Sequence, residues 1–252
     1  MESVDWDRIA PHYFDEISSP FSQGVQNPLY EEIEKVVESK KKNVIDLGCG
    51  IGNLEPFLSQ RFKQVTAVDF SPKMIEIAGE KCRELRNVIF FLQDIRDMAR
   101  FHDKFQLAVA VNSIVTPSLV DIDKIFSELA AVLKSKGMFL GIFPSMDSEI
   151  YRAMLTFERE YQKTHDEHKA ISRTRMIMHI RKYDFALGFY ENKGKQKHFY
   201  NFELEHRFRM HGFQDIRIQK VYYPWSMCED DEAKEFEGMP KLYDWFISAR
   251  KE

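Results

Sequence analysis

Cysteine is scarce in this chain: three residues in 252, Cys49, Cys82 and Cys228. An odd number set far apart supports neither a disulfide framework nor a zinc spacing, and reduced thiols suit the cytosol. Long apolar runs are missing too. No stretch reaches the roughly 18 residues a membrane helix needs, and no signal-peptide pattern is present. A soluble, cytoplasmic protein without a membrane partner is therefore expected. Internal repeats and low-complexity tracts are absent, which excludes solenoids and disordered arrays. An excess of positive charge is also lacking. The formal net charge is −4, so broad electrostatic attraction to nucleic acid is not expected. The length allows one domain with an insertion, at roughly 100–200 residues per domain.

What is present is concentrated near residue 50. An apolar run, Val44 to Leu47, leads into Gly48-Cys49-Gly50-Ile51-Gly52-Asn53 and then a segment to Phe62 whose Leu54, Phe57, Leu58 and Phe62 share a helical face. This spells strand, glycine turn and helix, a place where a ligand can approach backbone with no Cβ in the way. A dinucleotide turn reads G-x-G-x-x-G/A. Here the order is G-x-G-x-G, and Asn53, too large for the role, occupies the third dinucleotide position. Asp46, just before the first glycine, would repel a pyrophosphate and welcome an ammonium or sulfonium group.

Ile45 to Gly52 match the first motif of the class I S-adenosylmethionine-dependent methyltransferases throughout, an apolar strand end followed by D-x-G-x-G-x-G, and at this point the chain resembles that family. The rest of residues 43–143 fits. Gln64 to Asp69 is a second apolar run ending in an acid about 20 residues beyond the glycines, where a ribose diol can be held. Ser71 and Pro72 give an N-cap and a first-turn proline for a helix bearing Met74, Ile77, Ala78, Cys82 and Leu85. Val88 to Leu92 and Gln106 to Val111 are further strands. A helix carrying Ile122, Ile125, Phe126, Leu129, Ala130 and Leu133 is expected to stop at Gly137, before a fifth strand, Met138 to Phe143. The match resumes at a helix over Phe202 to Gly212 and strands over Asp215 to Tyr223 and Tyr243 to Ala249. The fold class expected is α/β, a doubly wound, mostly parallel, seven-stranded Rossmann-like sheet with an inserted α+β cap.

The resemblance implies S-adenosyl-L-methionine as cofactor, with S-adenosyl-L-homocysteine as its product. It also implies roles for residues. Asp46, Gly48, Cys49, Gly50 and Asn53 would hold the methionine moiety. Asp69, with Phe70 and Met74 beside it, would take the ribose, and Asp94 with Ile95 the adenine. Asn112 and Ser113 would face the reacting end. Trp-x-x-Ile-Ala-x-x-Tyr, from Trp6, resembles the opening of small-molecule methyltransferases, which places Tyr13 over the methionine end. The next helix carries Leu29, Ile33, Val36 and Val37.

Residues 1–42 are thus expected to form an N-terminal helical lid, 43–144 the cofactor core, 145–200 an inserted cap and 201–252 the end of the core. In the cap a helix from Asp147 carries Ile150, Met154, Phe157, Tyr161, His165 and His168 in one stripe, expected to lie mostly in the cap's own core. Arg173 to Glu191 reads as extended, because Met176, Met178 and Ile180 alternate with Arg175, His179 and Arg181. Asn192 to Lys195 reads as a hairpin turn, with a return strand from His198 to Tyr200. Residues 171–200 carry a net +5 and residues 225–240 a net −5. Such a cap could attract an anionic acceptor, although solvated surface explains the same charges.

His165 and His168 have the i, i+3 spacing of metal ligands, but no third ligand stands at a recognised spacing, and no metal is assigned. His12, Tyr13, His165, His179 and His198 are candidate general bases. Strand four ends Asn112-Ser113-Ile114 and lacks the Asn/Asp-Pro-Pro-aromatic run of enzymes that methylate base or glutamine amino groups. The function expected is methyl transfer to a small-molecule acceptor by a monomer or homodimer. The alternatives are methylation of RNA or protein, and a non-catalytic cofactor-binding sensor or assembly factor.

Overall fold

A computed structural model describes residues 3–13, 19–180, 182–191, 194–227 and 235–252. The N-terminal part holds helices α1 (Ser3–Ile9) and α2 (Leu29–Glu34). Strands β1 (Asn43–Leu47), β2 (Gln64–Asp69) and β3 (Val88–Leu92) then alternate with α3 (Glu55–Ser59) and α4 (Pro72–Lys81). Next come β4 (Phe105–Val111), α5 (Leu119–Val132) and β5 (Leu133–Phe143). Two long helices follow, α6 (Met146–Thr164) and α7 (Glu167–Ile180), with a small sheet of β6 (Tyr183–Asp184), β7 (Phe189–Glu191) and β8 (Lys195–Lys197). The chain ends with α8 (Asn201–Met210), β9 (Phe213–Tyr223) and β10 (Leu242–Lys251).

The main sheet has the order β3-β2-β1-β4-β5-β10-β9, and β10 alone runs against its neighbours. Successive residues of the central strands go to opposite faces, as the pleat requires. Val44, Val65, Leu107 and Val109 pack with Leu29, Ile33, Leu54 and Leu58 on one side. Ile45, Val68, Ala108 and Ala110 pack with Phe126, Phe139, Phe143 and Phe208 on the other. Burial on both faces is why these strands read as continuous apolar runs. The chain leaves β1 toward β2 and β3, then returns on the other side of β1 to form β4. Ligands bind at such a reversal, beyond the strand C-termini.

The fold class matches expectation; several elements differ in detail. The helix expected from Asn53 is only Glu55–Ser59, although Leu54, Leu58 and Phe62 do share a buried face. Val37 is exposed, because α2 ends before it. Gly137 lies inside β5 rather than ahead of it. Pairing with β4 jumps from Phe105–Leu133 to Leu107–Met138, so β5 advances five residues while β4 advances two. A Cβ on Gly137 would stand 2.7 Å from the Lys134 carbonyl oxygen, so only glycine fits this bulge.

The cap departs furthest. Its first helix ends where His165 turns left-handed (φ 50°), and His168 belongs to the next helix. The segment read as extended from Arg173 is helical to Ile180. The alternating apolar residues were a false period: Ala170 and Met178 are buried, but Met176 and Ile180 are exposed. The return strand falls at Lys195–Lys197, and Phe199 instead bridges Ser145. Arg181, Asn192 and Lys193 lie outside the described residues, as do Phe14 and Cys228 to Lys234. On α6 the stripe faces outward, with Ile150 46%, Met154 48% and Tyr161 45% exposed. Ion pairs fill the inner side, where Glu160 meets Arg159 at 3.1 Å and Arg173 at 3.4 Å.

Phe208 is fully buried, with its ring 5.1 Å from both Phe126 and Phe139. Phe208→Ala is expected to cost about 3–5 kcal/mol in urea unfolding. A loss below about 1 kcal/mol would show that this cluster does not carry the core.

Candidate active site

The glycine turn is held open by hydrogen bonds that reach across to β2. Gly48 and Cys49 donate N–H to the Val68 carbonyl at 2.8 and 2.9 Å. Gly50 donates to Asp69 Oδ2 at 2.9 Å, and Ser71 N–H to Asp69 Oδ1 at 2.9 Å. One carboxylate thus ties the turn after β1 to the start of α4. Two glycines are required for different reasons. A Cβ on Gly48 would lie 2.3 Å from Ser113 Cβ, so backbone must pass there bare. Gly50 is left-handed (φ 54°), and its nearest neighbour would be the Tyr13 ring at 3.8 Å.

Helix α4 is capped twice over. Ser71 Oγ accepts from Met74 N–H at 3.1 Å and donates to Asp7 Oδ1 at 2.5 Å, and Asp7 also accepts from Lys73 N–H. Because Asp7 sits on α1, this cap pins the N-terminal segment over the turn. Trp6 and Tyr13 thereby reach the wall of a cavity of about 840 Å³, a volume that includes its mouth open to solvent. Tyr13 is held above its ordinary range, at about 12, by burial and then by the charges of Asp69 and Asp46.

The remaining wall comes from strand ends. Gly48, Gly50, Asp69, Phe70, Met74, Asp94, Ile95, Asn112 and Ser113 all line this cavity. Asp94 takes Arg96 in a fork, Nε at 2.9 Å and Nη2 at 2.7 Å, while Arg96 Nη1 reaches Asp121 at 3.0 Å. Burial raises the Asp94 carboxyl, but the Arg96 hydrogen bonds outweigh it and hold the group low. Asn112 adopts φ 49° at the end of β4 and donates Nδ2–H to Asp244 Oδ2 at 3.1 Å. Tyr223 O–H donates to the same oxygen at 2.8 Å, and Ser145 N–H to Asp244 Oδ1 at 3.3 Å. Burial lifts Asp244 to about 6, against these hydrogen bonds.

Three expected positions are not on the wall. Asp46 is sealed beneath the turn, Cys49 is buried with its thiol toward the Gly50 carbonyl, and Asn53 is engaged by Lys81. Arg96, Asp244 and Tyr223 escaped sequence reasoning. An acid between aromatic residues, Tyr243-Asp244-Trp245, was the available signal for Asp244. Among the described residues no group of three or more His, Cys, Asp or Glu could hold a metal ion.

A family description that reads "Methyltransferase domain" matches residues 44–137. The Bacillus subtilis protein YqeM, named provisionally as a methyltransferase, is 26% identical over 130 residues, 49% of this chain and 52% of that protein. The magnesium-protoporphyrin O-methyltransferase of Rhodobacter capsulatus is 38% identical over 88 residues, 34% of this chain and 38% of that one. The chain spans about half the length, or less, of these curated relatives. A solved Burkholderia thailandensis 1,6-didemethyltoxoflavin-N1-methyltransferase, with its substrate and S-adenosylhomocysteine bound, superposes with TM-score 0.63 at 14% identity, covering 99% of this chain and 86% of that one. At that identity the likeness is one of fold.

Residues 44–137 thus match a methyltransferase domain, and the chain as a whole shares the fold of solved S-adenosylmethionine-dependent methyltransferases. The expected base candidates lie mostly away from the cavity. His12, His165, His168 and His179 are exposed, and none of them lines the cavity. His198 does not line it either; burial pushes it down to about 4, so it is neutral, with its ring edge against Tyr190. Of the five base candidates only Tyr13 stands at the cavity.

The Asp244 cluster sets a pH dependence of stability. Its carboxyl, about 6 folded against an ordinary 3.8, binds a proton more tightly in the folded state. The resulting stability is complete below pH 4 and is lost as pH rises through about 6. Relative to Asp244→Asn, wild-type unfolding free energy is expected to fall by about 2 kcal/mol between pH 4 and 7. A pH-independent difference in chemical denaturation would contradict this.

Proposed function

We infer that this protein binds S-adenosylmethionine across the glycine turn and transfers its methyl group to a small-molecule acceptor. The observation that carries the reading is the cavity where Gly48, Gly50, Asp69, Asp94, Ile95 and Asn112, drawn from the ends of β1, β2, β3 and β4, share one wall. Its mixed lining, acids at the strand ends beside Ile95, Met74 and Phe70, suits the polar ribose and flat base of a nucleoside. The cofactor supplies an electrophilic methyl on a sulfonium whose departure as a thioether is already favourable. The protein's part is then alignment and exclusion of water.

Each residue has a role in that alignment. Each Asp69 oxygen accepts one backbone N–H and keeps a lone-pair direction for a ribose hydroxyl. Asp94, locked by Arg96, and Ile95 would take the adenine. Tyr13 would close over the methionine end, and Asn112, its amide oriented by Asp244, would face the acceptor. Relatives named for small-molecule methylation support the acceptor class. A preference for anions draws no support from the cap, whose Arg173, Lys182 and Lys197 are paired with Glu160, Glu191 and Glu203. A cytoplasmic setting belongs to the same reading; no helix among the described residues is long and apolar enough to cross a membrane.

Titration calorimetry tests the cofactor. S-adenosylmethionine or S-adenosylhomocysteine is expected to bind and NAD not, and Asp69→Ala is expected to weaken binding by roughly 1.5–3 kcal/mol while circular dichroism stays native. Tighter NAD binding, or unchanged affinity in a folded Asp69→Ala variant, would overturn this assignment. Labelled methyl transfer into a metabolite extract would then identify the acceptor.

A further inference from the structure

Beneath the glycine turn lies a pair of acids that cofactor alignment leaves unexplained. Glu55 opens α3 and is 0% exposed; Asp46 lies in β1 and is 3% exposed. Both Glu55 carboxyl oxygens are sealed from solvent and no side-chain donor meets them; only the backbone N–H groups of Leu54 and Glu55 lie close enough to favour the charged form. Their polar neighbour is the Asp46 carboxyl. Two carboxyl groups hydrogen-bond to each other only when one carries a proton, and two buried anions side by side are strongly disfavoured.

The surroundings keep that proton in place. Asp69 faces the pair from β2, the Cys49 thiol from the turn, and Lys81 with Cys82 from α4. Burial, then the Glu55 and Asp69 charges, push Asp46 well above the usual carboxylate range. Burial raises Glu55 as well, opposed by the Asp46 hydrogen bond and by Lys81. The Lys81 ammonium is itself engaged by the Asn53 side-chain oxygen. Asp46 is two residues from Gly48, and Gly48 and Gly50 line the cavity. A positive charge laid on this turn therefore acts on the pair through a thin layer of buried protein, where electrostatic interaction is weakly screened.

We propose that Asp46 and Glu55 share one proton, and that a sulfonium cation bound across the turn expels it, so the pair favours the charged methyl donor over its neutral-sulfur product. The inference rests on the cofactor assignment above. No covalent bond changes in the binding step: the pair loses a proton to the buffer, and the ligand enters unaltered. Once the methyl group has left and the sulfur is neutral, the proton returns and the product is held less tightly. The pair would thus aid product release.

Calorimetry in two buffers of different ionisation enthalpy counts the protons released. Wild-type protein is expected to release up to one proton on binding S-adenosylmethionine and clearly fewer on binding S-adenosylhomocysteine. Affinity for the former should tighten by up to about tenfold per pH unit where the pair is protonated alone and ionised with ligand. Glu55→Gln supplies Asp46 with a permanent donor, so this variant should bind with no net release and lose most of its preference for the charged form. If that variant does not fold, the wild-type comparison of the two ligands decides alone. Equal release for both ligands, or none with S-adenosylmethionine bound, would overturn the proposal. Failure of S-adenosylmethionine to bind at any pH would overturn the cofactor assignment and this inference together.

Discussion

The site depends on the two hydrogen bonds that Asp69 accepts, from Gly50 N–H and Ser71 N–H. They join the turn after β1 to the end of β2 and the start of α4, beside the Gly48 and Cys49 N–H bonds to the Val68 carbonyl. The carboxylate orients backbone that has no side chain of its own to orient it. Burial raises its proton affinity, and the N–H groups that point at it oppose that shift. Glycine supplies the freedom to make the turn, and the acid removes that freedom again.

From this constraint the rest of the cavity follows. With the turn fixed, Ser71 caps α4 and binds Asp7, so the N-terminal segment is drawn over the glycines and brings Trp6 and Tyr13 to the wall. On the opposite wall, Asn112 takes a left-handed backbone so that its side chain meets Asp244, linking β4 to the reversed strand β10. The cavity is thus walled by an arm from one end of the chain, while a strand from the other end holds Asn112 from behind.

Legibility in the sequence divided along a physical line. The central strands were readable because burial on both faces forces unbroken apolar runs, and Ser71-Pro72 was readable because a cap and a first-turn proline are local chemistry. The cap was not. In α7, alternation of Met176, Met178 and Ile180 imitated a strand, since a half-buried helix with apolar residues on both faces has no clean period. In α6 the apolar stripe was visible but its direction was not, because buried ion pairs such as Glu160 with Arg159 took the inner side. Positions that rest on long-range partners carry little local signature: Arg96 with Asp121 has none, and Asp244 with Tyr223 shows only as an acid between aromatic residues.

The central claim is that the Asp69-held turn is the seat of an S-adenosyl ligand. A crystal structure of the protein with S-adenosylhomocysteine tests it most directly. The account predicts ligand density across Gly48 and Gly50, with ribose hydroxyls within hydrogen-bonding distance of Asp69 and the adenine between Asp94 and Ile95. Density seated elsewhere, or a ribose turned away from Asp69, would contradict it.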